Sequence, residues 1–290
     1  MKRFWTGGIL KKFLLLIKIS RPPLWLAQPL IFCLGLAYGR HGFADPRFRW
    51  SALMVTQMVW LSFPVCLYTF GINDIFDAAS DRINPRKGGL EGIRLEQQHR
   101  RLIEKAALGA GIIFLSLSFL TRNVFNIFYT STILCLAYVY SAPPWRLKTR
   151  PPLDVVSAGI MGFLAPFGLG FGFVDNAAAL PIQAYYFTFC VMGFHAFSTI
   201  MDYEVDKKAG DTTFAVAYGK RCAAALPGIV FLLSPFFVES FYVKIFFLLC
   251  VFLSFFTAIH PSEKLARHFF LLMYPAALLI LALWLVHFIK

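Results

Sequence analysis

Residues 53–81 form an apolar stretch that runs directly into a cluster of acids, LMVTQMVWLSFPVCLYTFGINDIFDAASD. The apolar part, residues 53–72, is long enough to cross about 30 Å of hydrocarbon as a helix. At about 100° per residue, the polar side chains that follow share one arc of that helix. The sequence therefore predicts a membrane-spanning helix whose end carries four grouped side chains: Asn73, Asp74, Asp77 and Asp81.

A second acidic cluster follows another apolar stretch, residues 180–201, and reads Asp202-Tyr203-Glu204-Val205-Asp206. Asp202 and Asp206 stand one helical turn apart and share a face. Acids grouped at the edge of a membrane repel one another and lose hydration, which costs free energy. We therefore expect a positively charged partner between the two clusters.

The composition is that of a polytopic membrane protein. The chain is 58% apolar, has 33 Phe among 290 residues and is only 15% charged. No polar stretch is long enough to fold alone, so we expect one domain over residues 1–290, in which residues 1–20 form a basic segment on the membrane surface. Nine stretches predict an all-α protein with nine transmembrane helices: 24–39, 53–72, 102–120, 124–141, 153–174, 180–201, 222–238, 241–259 and 269–288.

The net charge of +13 follows the predicted membrane topology. Of the 28 Lys and Arg residues, 22 lie in the N-terminal segment and in the loops after the second, fourth, sixth and eighth stretches. Because Lys and Arg concentrate on the cytoplasmic side, the N-terminus and both acidic clusters are predicted to face the cytoplasm, in a plasma membrane of the bacterial type. The basic charge thus reflects the orientation of the protein in a lipid bilayer, and it does not indicate nucleic-acid binding. The other six Lys and Arg residues lie on the predicted non-cytoplasmic side of the membrane: Arg40, Arg47, Arg49, Arg122, Lys244 and Lys290.

Three basic loops are predicted to lie on the same face as the acids. The first, 82–101, contains the string NPRKGGLEG at Asn84–Gly92; the second, 140–152, reads YSAPPWRLKTRPP; the third is 206–221.

Spaced carboxylates suit Mg²⁺, which takes oxygen ligands and usually keeps substrate phosphate oxygens. Two such clusters can hold a diphosphate through Mg²⁺, and Arg146 and Lys148 can contact the same group. The alternative is that the acids are solvated or paired with nearby Lys and Arg. Their number and pairing favour the metal site.

The two acidic motifs, N-D-x-x-D-x-x-x-D at Asn73–Asp81 and D-x-x-x-D at Asp202–Asp206, resemble those of the UbiA superfamily of intramembrane prenyltransferases. The resemblance covers nearly the whole chain. It implies a helical bundle around a central cavity, in which both motifs bind a prenyl diphosphate through Mg²⁺. Arg21, in Ser20-Arg21-Pro22, matches a basic residue that commonly precedes the first helix. The implied metal ligands are Asp74, Asp77, Asp81, Asp202 and Asp206, with Asp74, Asp77, Asp202 and Asp206 as catalytic residues and Asn73 beside the diphosphate.

Three further residues are candidate substrate contacts, each with a structural alternative. Tyr140 can hydrogen-bond the diphosphate, although tyrosine is also common at membrane interfaces. Asp154 stands at the start of a helix, where a carboxylate also favours the helix dipole. His195 lies about two turns before Asp202 on the same face. It can contact the acceptor or accept a proton, or it can be a satisfied core histidine.

The acceptor is predicted from the loops. The string at Asn84–Gly92 looks like that of the lycopene elongases, which favours a carotenoid end such as lycopene. The segment Tyr140–Lys148 looks like the chlorophyll-synthase-like branch, so a chlorophyll-type or an aromatic quinone-precursor acceptor is the alternative. An ion-coupled transporter would place acids near the bilayer midplane in broken helices, whereas these acids end helices; a silent scaffold is the third possibility. Nothing indicates an obligate protein partner.

Overall fold

The computed structural model describes residues 2–81, 84, 87 and 93–289, and within them the chain is helical without strands. This confirms the all-α class. The helices are α1 (Lys2–Ile19), α2 (Ala27–Tyr38), α3 (Ala52–Trp60), α4 (Phe63–Phe76), α5 (Ala78–Asp81), α6 (Arg100–Leu120), α7 (Val124–Ser141), α8 (Leu153–Gly159), α9 (Ala165–Phe171), α10 (Ile182–Ser198), α11 (Tyr203–Ala209), α12 (Phe214–Tyr218), α13 (Lys220–Phe231), α14 (Ser234–Phe237), α15 (Phe241–Ile259) and α16 (Glu263–Ile289).

Six helices in the described part of the chain are long and apolar enough to cross a membrane: Ala52–Phe76, Gln97–Leu120, Val124–Ser141, Leu153–Phe171, Phe241–Ile259 and Glu263–Val286. They coincide with six of the nine predicted stretches. The other three, 24–39, 180–201 and 222–238, contain the shorter helices α2, α10 and α13. The membrane class is confirmed, whereas nine crossings and a cytoplasmic N-terminus stay predictions.

The second predicted helix is divided at Leu61 and Ser62, inside its apolar stretch. α3 ends at Trp60 and α4 begins at Phe63, with Pro64 in its first turn. A proline there lacks the backbone N–H that a continuous helix would use. The fifth is also irregular, because a π-helical turn at Ile160–Leu164 joins α8 to α9 ahead of Pro166. The interrupted helices pack on different neighbours, since α3 and α4 contact α6, whereas α8 and the π-helical turn contact α10.

A close helix–helix approach joins α2 to α9. A Cβ atom added to Gly35 would overlap the carbonyl oxygen of Phe167, and one added to Gly170 would overlap that of Phe32. Small residues allow this contact, and in a membrane close packing itself drives helix association. The two glycines therefore let α9 pack directly against α2.

Both acidic clusters lie where a helix changes its form. α4 ends at Phe76, but the path continues because the N–H groups of Asp77 and Asp81 donate to the carbonyls four residues earlier, at 2.9 and 2.8 Å. The first three acids thus stay on one side, as predicted. In the second cluster a 3₁₀ turn, Thr199–Asp202, joins α10 to α11. Gly210, at φ 77°, then ends α11 and reverses the chain.

Candidate active site

The first acidic cluster is tied to α7 by an amide. The Nδ2 atom of Asn73 donates to Asp77 Oδ2 at 2.7 Å and to Ser141 Oγ at 3.1 Å. Asp74, one residue later, is 0% exposed. Burial of this carboxylate is costly unless cations and donors compensate its charge. The surrounding loops provide them.

Two basic side chains converge on Asp74. Arg21 Nη2 donates to Asp74 Oδ1 at 3.2 Å and to Asn73 Oδ1 at 3.4 Å, while its guanidinium lies 4.2 Å from the ring centre of Phe70. Lys87 Nζ is 2.9 Å from Asp74 Oδ1 and 2.9 Å from Asp81 Oδ2. An ammonium group therefore lies between two of the predicted metal ligands. Apart from Asn84 and Lys87, the glycine-rich string 84–92 lies outside the described residues.

A second pair of basic side chains joins the first cluster to the loop after α11. Lys148 Nζ donates to Asp77 Oδ1 and lies 3.5 Å from Asp211 Oδ2. Arg146 Nη2 lies 3.7 Å from Asp77 Oδ1 and 3.3 Å from Asp211 Oδ1. Asp211 is absent from the predicted site. Its one sequence signal is its position directly after Gly210, which turns the chain back toward Asp206.

The two clusters meet across the bundle. Asn84 Nδ2 donates to Asp202 Oδ1 at 3.1 Å, which connects the loop after α5 with the end of α10. Thr213 Oγ1 donates to Asp206 Oδ2 at 3.0 Å. Together with the Lys148 and Arg146 contacts, these bonds place both predicted acidic motifs in one polar site. The close approach of the two motifs that the sequence predicted is therefore present.

Burial changes the acidity of two carboxylates in this site. Burial, together with the neighbouring Asp202, raises the pKa of Asp206 to about 7. Burial likewise raises the pKa of Asp81 to about 6, although Lys87 partly opposes the shift. The described residues of this site include six carboxylates and four basic side chains: Asp74, Asp77, Asp81, Asp202, Asp206 and Asp211, with Arg21, Lys87, Arg146 and Lys148.

The other three candidates lie beside this site, each with a defined partner. The hydroxyl of Tyr140 and His195 Nε2 are 3.0 Å apart. Asp154 is 1% exposed, and its Oδ2 accepts the backbone N–H of Phe214 at 2.6 Å. Asp154 thus caps α12 across the bundle, beyond the capping of its own helix that the sequence suggested. Arg150, next in the basic loop, donates to the carbonyl of Pro144 at 2.8 Å and shapes that loop.

The carboxylate oxygens of this site fit a hard divalent cation, provided that a Lys side chain gives up its contact with them. Among the described residues, no three acidic, His or Cys side chains form a ready metal site. The reason is visible in the contacts, because Lys87 lies between Asp74 and Asp81, and Lys148 contacts Asp77. Yet Asp74 Oδ2 is buried and has no hydrogen-bond partner in the part of the chain that the structure describes, and a buried carboxylate oxygen in that state is stabilised by a cation.

Comparisons with known proteins agree with this site. A model of the UbiA prenyltransferase family matches residues 29–290. A lycopene elongase/hydratase from Halobacterium salinarum is 32% identical over 224 residues, which are 77% of this chain and 78% of that protein. One from Haloarcula japonica is 30% identical over 205 residues, 71% and 67% of the two chains.

A solved structure is similar to the whole chain. The structure of a UbiA homologue from Archaeoglobus fulgidus bound to DMAPP and Mg²⁺ has a TM-score of 0.61 at 19% identity and covers 94% of this chain and 99% of that one. This likeness shows a shared fold. Membership of this family favours the enzyme hypothesis over an ion-coupled transporter or a silent scaffold. With its acidic motifs converging and the family model spanning nine-tenths of its length, the chain belongs to the UbiA prenyltransferase family and is a prenyltransferase.

Proposed function

We propose that the protein is a Mg²⁺-dependent membrane prenyltransferase that moves a prenyl group from an allylic diphosphate to a lipophilic acceptor, with a carotenoid end such as lycopene favoured. The observation that carries the proposal is the convergence of the two acidic motifs with four basic side chains in one polar site. Carboxylates hold metal ions and guanidinium groups bind phosphate, so one site contains both parts that a diphosphate requires.

The metal would be held by five carboxylates: Asp74, Asp77, Asp81, Asp202 and Asp206. Bound Mg²⁺ neutralises charge that develops on the departing diphosphate oxygen. The buried Oδ2 of Asp74, which has no hydrogen-bond partner among the described residues, supports this assignment. In the similar A. fulgidus structure, DMAPP and Mg²⁺ are bound together.

When the diphosphate binds, each of the basic residues would leave a carboxylate partner and contact the diphosphate instead. The Nε atoms of Arg21 and Arg146 are buried without a hydrogen-bond partner in the described structure. Each guanidinium therefore has a donor to spare while another contacts an acid. With Asn73 and Lys148, they would contact the diphosphate and favour its departure by binding it more strongly as its charge grows.

The rest of the bundle would exclude water from the reacting carbon. An allylic cation is consumed by water, so an apolar surrounding protects the transfer step. Tyr140 and His195 would lie beside the reacting groups, and Asp154 would support the site through α12. We also propose the central cavity among the helices, in which the prenyl chain and the acceptor meet.

The proposed topology has nine crossings, a cytoplasmic N-terminus and an active site open to the cytoplasm, in a plasma membrane. The distribution of Lys and Arg supports it. α1 would lie on the cytoplasmic leaflet, since four of its apolar side chains are exposed: Ile9, Leu10, Phe13 and Leu14. No nucleic acid or obligate protein partner is part of the proposal.

The preference for a carotenoid acceptor rests on the relatives, since the two reported above are lycopene elongases/hydratases. The chlorophyll-type or aromatic acceptor remains the alternative and is supported by the loop Tyr140–Lys148. An aromatic ring and a polyene end both offer an electron-rich carbon to an allylic cation. Only the product distinguishes them.

The test supplies membranes carrying the protein with radiolabelled DMAPP, MgCl₂ and either lycopene or an aromatic quinone precursor. Wild type is expected to release diphosphate and to label lycopene, and both reactions are expected to stop with EDTA. Asp74→Asn and Asp202→Asn are expected to lower transfer by at least about a hundredfold, with Asp175→Asn as the matched control. Full transfer by both active-site variants would refute the proposal, and labelling of the aromatic compound alone would reverse the acceptor.

A further inference from the structure

An open cleft lies at the end of the bundle opposite to the acidic motifs, and prenyl transfer gives it no role. It has a volume of about 380 Å³ and is lined by four polar side chains: His41, Asp45, Arg47 and Arg49. Small-ligand sites usually have volumes of about 300–1,000 Å³. The space, named here the arginine cleft, is therefore large enough for a ligand.

The arginine cleft is distant from the proposed diphosphate site. α2 separates the two, because Arg21 precedes α2 and contacts Asp74, whereas His41 follows α2. The 12 residues of α2 span about 18 Å at 1.5 Å per residue. At the far end the loop after α2 meets the loop after α9, where a Cβ atom added to Gly39 would overlap the side chain of Val174. A ligand of this cleft is thus separate from the prenyl diphosphate.

The arginines of the cleft are an exception to the charge distribution of the chain. Of the six Lys and Arg residues predicted on the non-cytoplasmic side, three fall within residues 40–49: Arg40, Arg47 and Arg49. Positive side chains are otherwise concentrated on the cytoplasmic side, where they set the orientation of the protein. A group of arginines on the other side opposes that orientation, which indicates a purpose other than topology.

Two of these three arginines have a carboxylate partner. Arg40 Nη2 lies 2.9 Å from Asp175 Oδ1. Arg47 Nη2 lies 3.0 Å from Asp45 Oδ2, and the backbone N–H of Arg47 donates to Asp45 Oδ1 at 2.9 Å. His41 Nδ1 is also 3.0 Å from Asp45 Oδ2. Both carboxylates are therefore engaged, and each is balanced by one arginine.

Arg49 is the arginine of the cleft whose charge is not balanced. Its Nη1 atom donates to the carbonyls of Pro46 and Phe48, at 2.9 and 2.7 Å, and it has no acidic partner in the part of the chain that the structure describes. The two carbonyls hold the guanidinium in place, so its remaining donors can bind a ligand with little further loss of side-chain entropy. Such a guanidinium suits an oxygen anion, above all phosphate.

The walls of the cleft favour a lipid over a free phosphate ion. Arg49 is three residues before Ala52, where a helix long enough to span the membrane begins, and Trp50 between them is 46% exposed. Trp is typical of the membrane–water interface, which is the depth of lipid headgroups. A lipid would use both the arginine and the apolar lining, whereas a free anion would use only the arginine. The apolar lining consists of Phe48, Met54, Phe173 and Val174.

The charge of the cleft indicates which type of lipid it suits. Three arginines and two carboxylates in and beside it leave one positive charge in excess, before His41 is counted. A choline or ethanolamine headgroup would bring its own cation next to these arginines, and like charges repel. An anionic headgroup brings no such cation.

We propose that the arginine cleft binds the phosphate of an anionic phospholipid, in the leaflet away from the acidic motifs. Arg49 donates to the phosphate oxygens, and the ion-paired Arg47 adds its positive charge beside them. The glycerol and acyl parts of the lipid lie against Met54 and Phe173. Because the loops after α2 and α9 both line the cleft, the bound lipid holds them together. This site does not depend on prenyl transfer.

Native mass spectrometry of the purified protein in detergent tests the site. The protein is titrated with dioctanoyl phosphatidylglycerol, dioctanoyl phosphatidylcholine or inorganic phosphate, and the bound molecules are counted. Wild type is expected to bind one phosphatidylglycerol at least about tenfold more tightly than either of the other two. This comparison needs no variant, so it tests the proposal even where a variant does not fold.

Arg49→Gln removes the unbalanced charge and leaves both ion pairs in place. It is expected to bind phosphatidylglycerol about tenfold more weakly, as for the loss of a hydrogen bond to a charged group. Arg49→Lys keeps the charge without the planar fork, and an intermediate loss is expected. Arg122→Gln is the matched control, because Arg122 is exposed, is predicted on the same side and does not line the cleft. Melting temperatures without lipid check that each variant is folded.

Equal losses in Arg49→Gln and Arg122→Gln would overturn the proposal, because the lipid would then follow the general charge of that face. Equal affinity of wild type for the two lipids would also overturn it. Binding of inorganic phosphate without binding of phosphatidylglycerol would assign the cleft to a free anion and so reject the lipid. None of these results involves prenyl transfer, so they are distinct from a failure of the proposed function.

Discussion

At the residue scale, basic side chains contact the carboxylates that are the proposed metal ligands. Lys87 contacts both Asp74 and Asp81, and Lys148 contacts Asp77. These contacts stabilise acids that would otherwise be buried without compensation. They also offset the repulsion between acids that lie close together. The same lysines must change partners when Mg²⁺ and a diphosphate bind.

Replacing Lys87 tests that exchange. In Lys87→Met, Asp74 and Asp81 lose the ammonium between them, so Mg²⁺ meets less competition. We expect Mg²⁺ to bind in the absence of diphosphate about tenfold more tightly, equivalent to about 1.4 kcal/mol. Calorimetric titration of Mg²⁺ into the purified protein measures this, with exposed Lys105→Met as control. Weaker binding in Lys87→Met would show that Lys87 supports the metal site.

Asp211 is the site residue that the sequence prediction omits. Its carboxylate holds Arg146 and Lys148 beside Asp77. In Asp211→Asn both basic groups lose a charged partner, which is worth about 1.5–3 kcal/mol for a hydrogen bond to a charged group. We expect kcat/KM for the prenyl diphosphate to fall by roughly ten- to a hundredfold.

The control for that substitution is Asp175→Asn, which removes a carboxylate paired with Arg40 but remote from the acidic motifs in the proposed topology. It is expected to keep wild-type kinetics. Equal losses in Asp211→Asn and Asp175→Asn would mean that the effect is general destabilisation. An unaffected Asp211→Asn would remove Asp211 from the functional site.

At the element scale, the contact between α2 and α9 depends on two glycines. Gly35 and Gly170 each lie against a backbone carbonyl of the other helix. The contact matters for the site because α9 continues α8, whose first turn contains Asp154. A change in helix spacing would therefore shift the cap of α12 and the loop that holds Asp211.

Gly35→Ala and Gly170→Ala test this contact. An added methyl group overlaps backbone, which cannot move aside as a flexible side chain can. The expected destabilisation is about 1–3 kcal/mol, seen as a lower melting temperature in detergent. Gly109→Ala is the matched control, since a Cβ at Gly109 on α6 meets no atom within 4 Å and alanine favours a helix. Similar melting temperatures for all three variants would contradict the close-packing interpretation.

At the scale of the whole molecule, acid-bearing helix ends and basic loops form one face, and the remaining helices form an apolar body. The reciprocal pair Gln57–Asn126 is the clearest polar contact within that body, with two hydrogen bonds of 2.8 Å. It satisfies both amides where lipid offers no partner. The proposed topology turns the polar face toward the cytoplasm.

Thiol labelling tests the topology. Cys222 is exposed near the start of α13, on the predicted cytoplasmic side, and Cys135 is exposed on α7 within an apolar span. A membrane-impermeant maleimide is expected to label Cys222 in inside-out vesicles but not in right-side-out vesicles. Cys135 is expected to stay unlabelled in both, because a thiolate requires water. Arg47→Cys should show the opposite sidedness, and labelling of Cys222 from outside would invert the topology.

Local sequence determined the helices and the faces of the acids. Helical periodicity acts between neighbours, so residues 53–81 predict both a spanning helix and the alignment of Asp74, Asp77 and Asp81. The positions at which the helices are interrupted are less predictable from local sequence. Pro64 marks one, but the 3₁₀ turn before α11 and the π-helical turn after α8 depend on packing against other helices. Helix length alone supports six of the nine predicted spans.

Tertiary structure alone decided which partner each polar group has. Asp211 meets Arg146 and Lys148, Tyr140 meets His195, and Asp154 caps α12 from far along the chain. No periodicity encodes such contacts, because they form only when separate helices and loops are packed together. The sequence by itself thus specified a membrane-embedded helical protein with two acidic motifs on one face. Folding chose the basic and hydrogen-bonding partners, since burial makes every charge in that site take a neighbour.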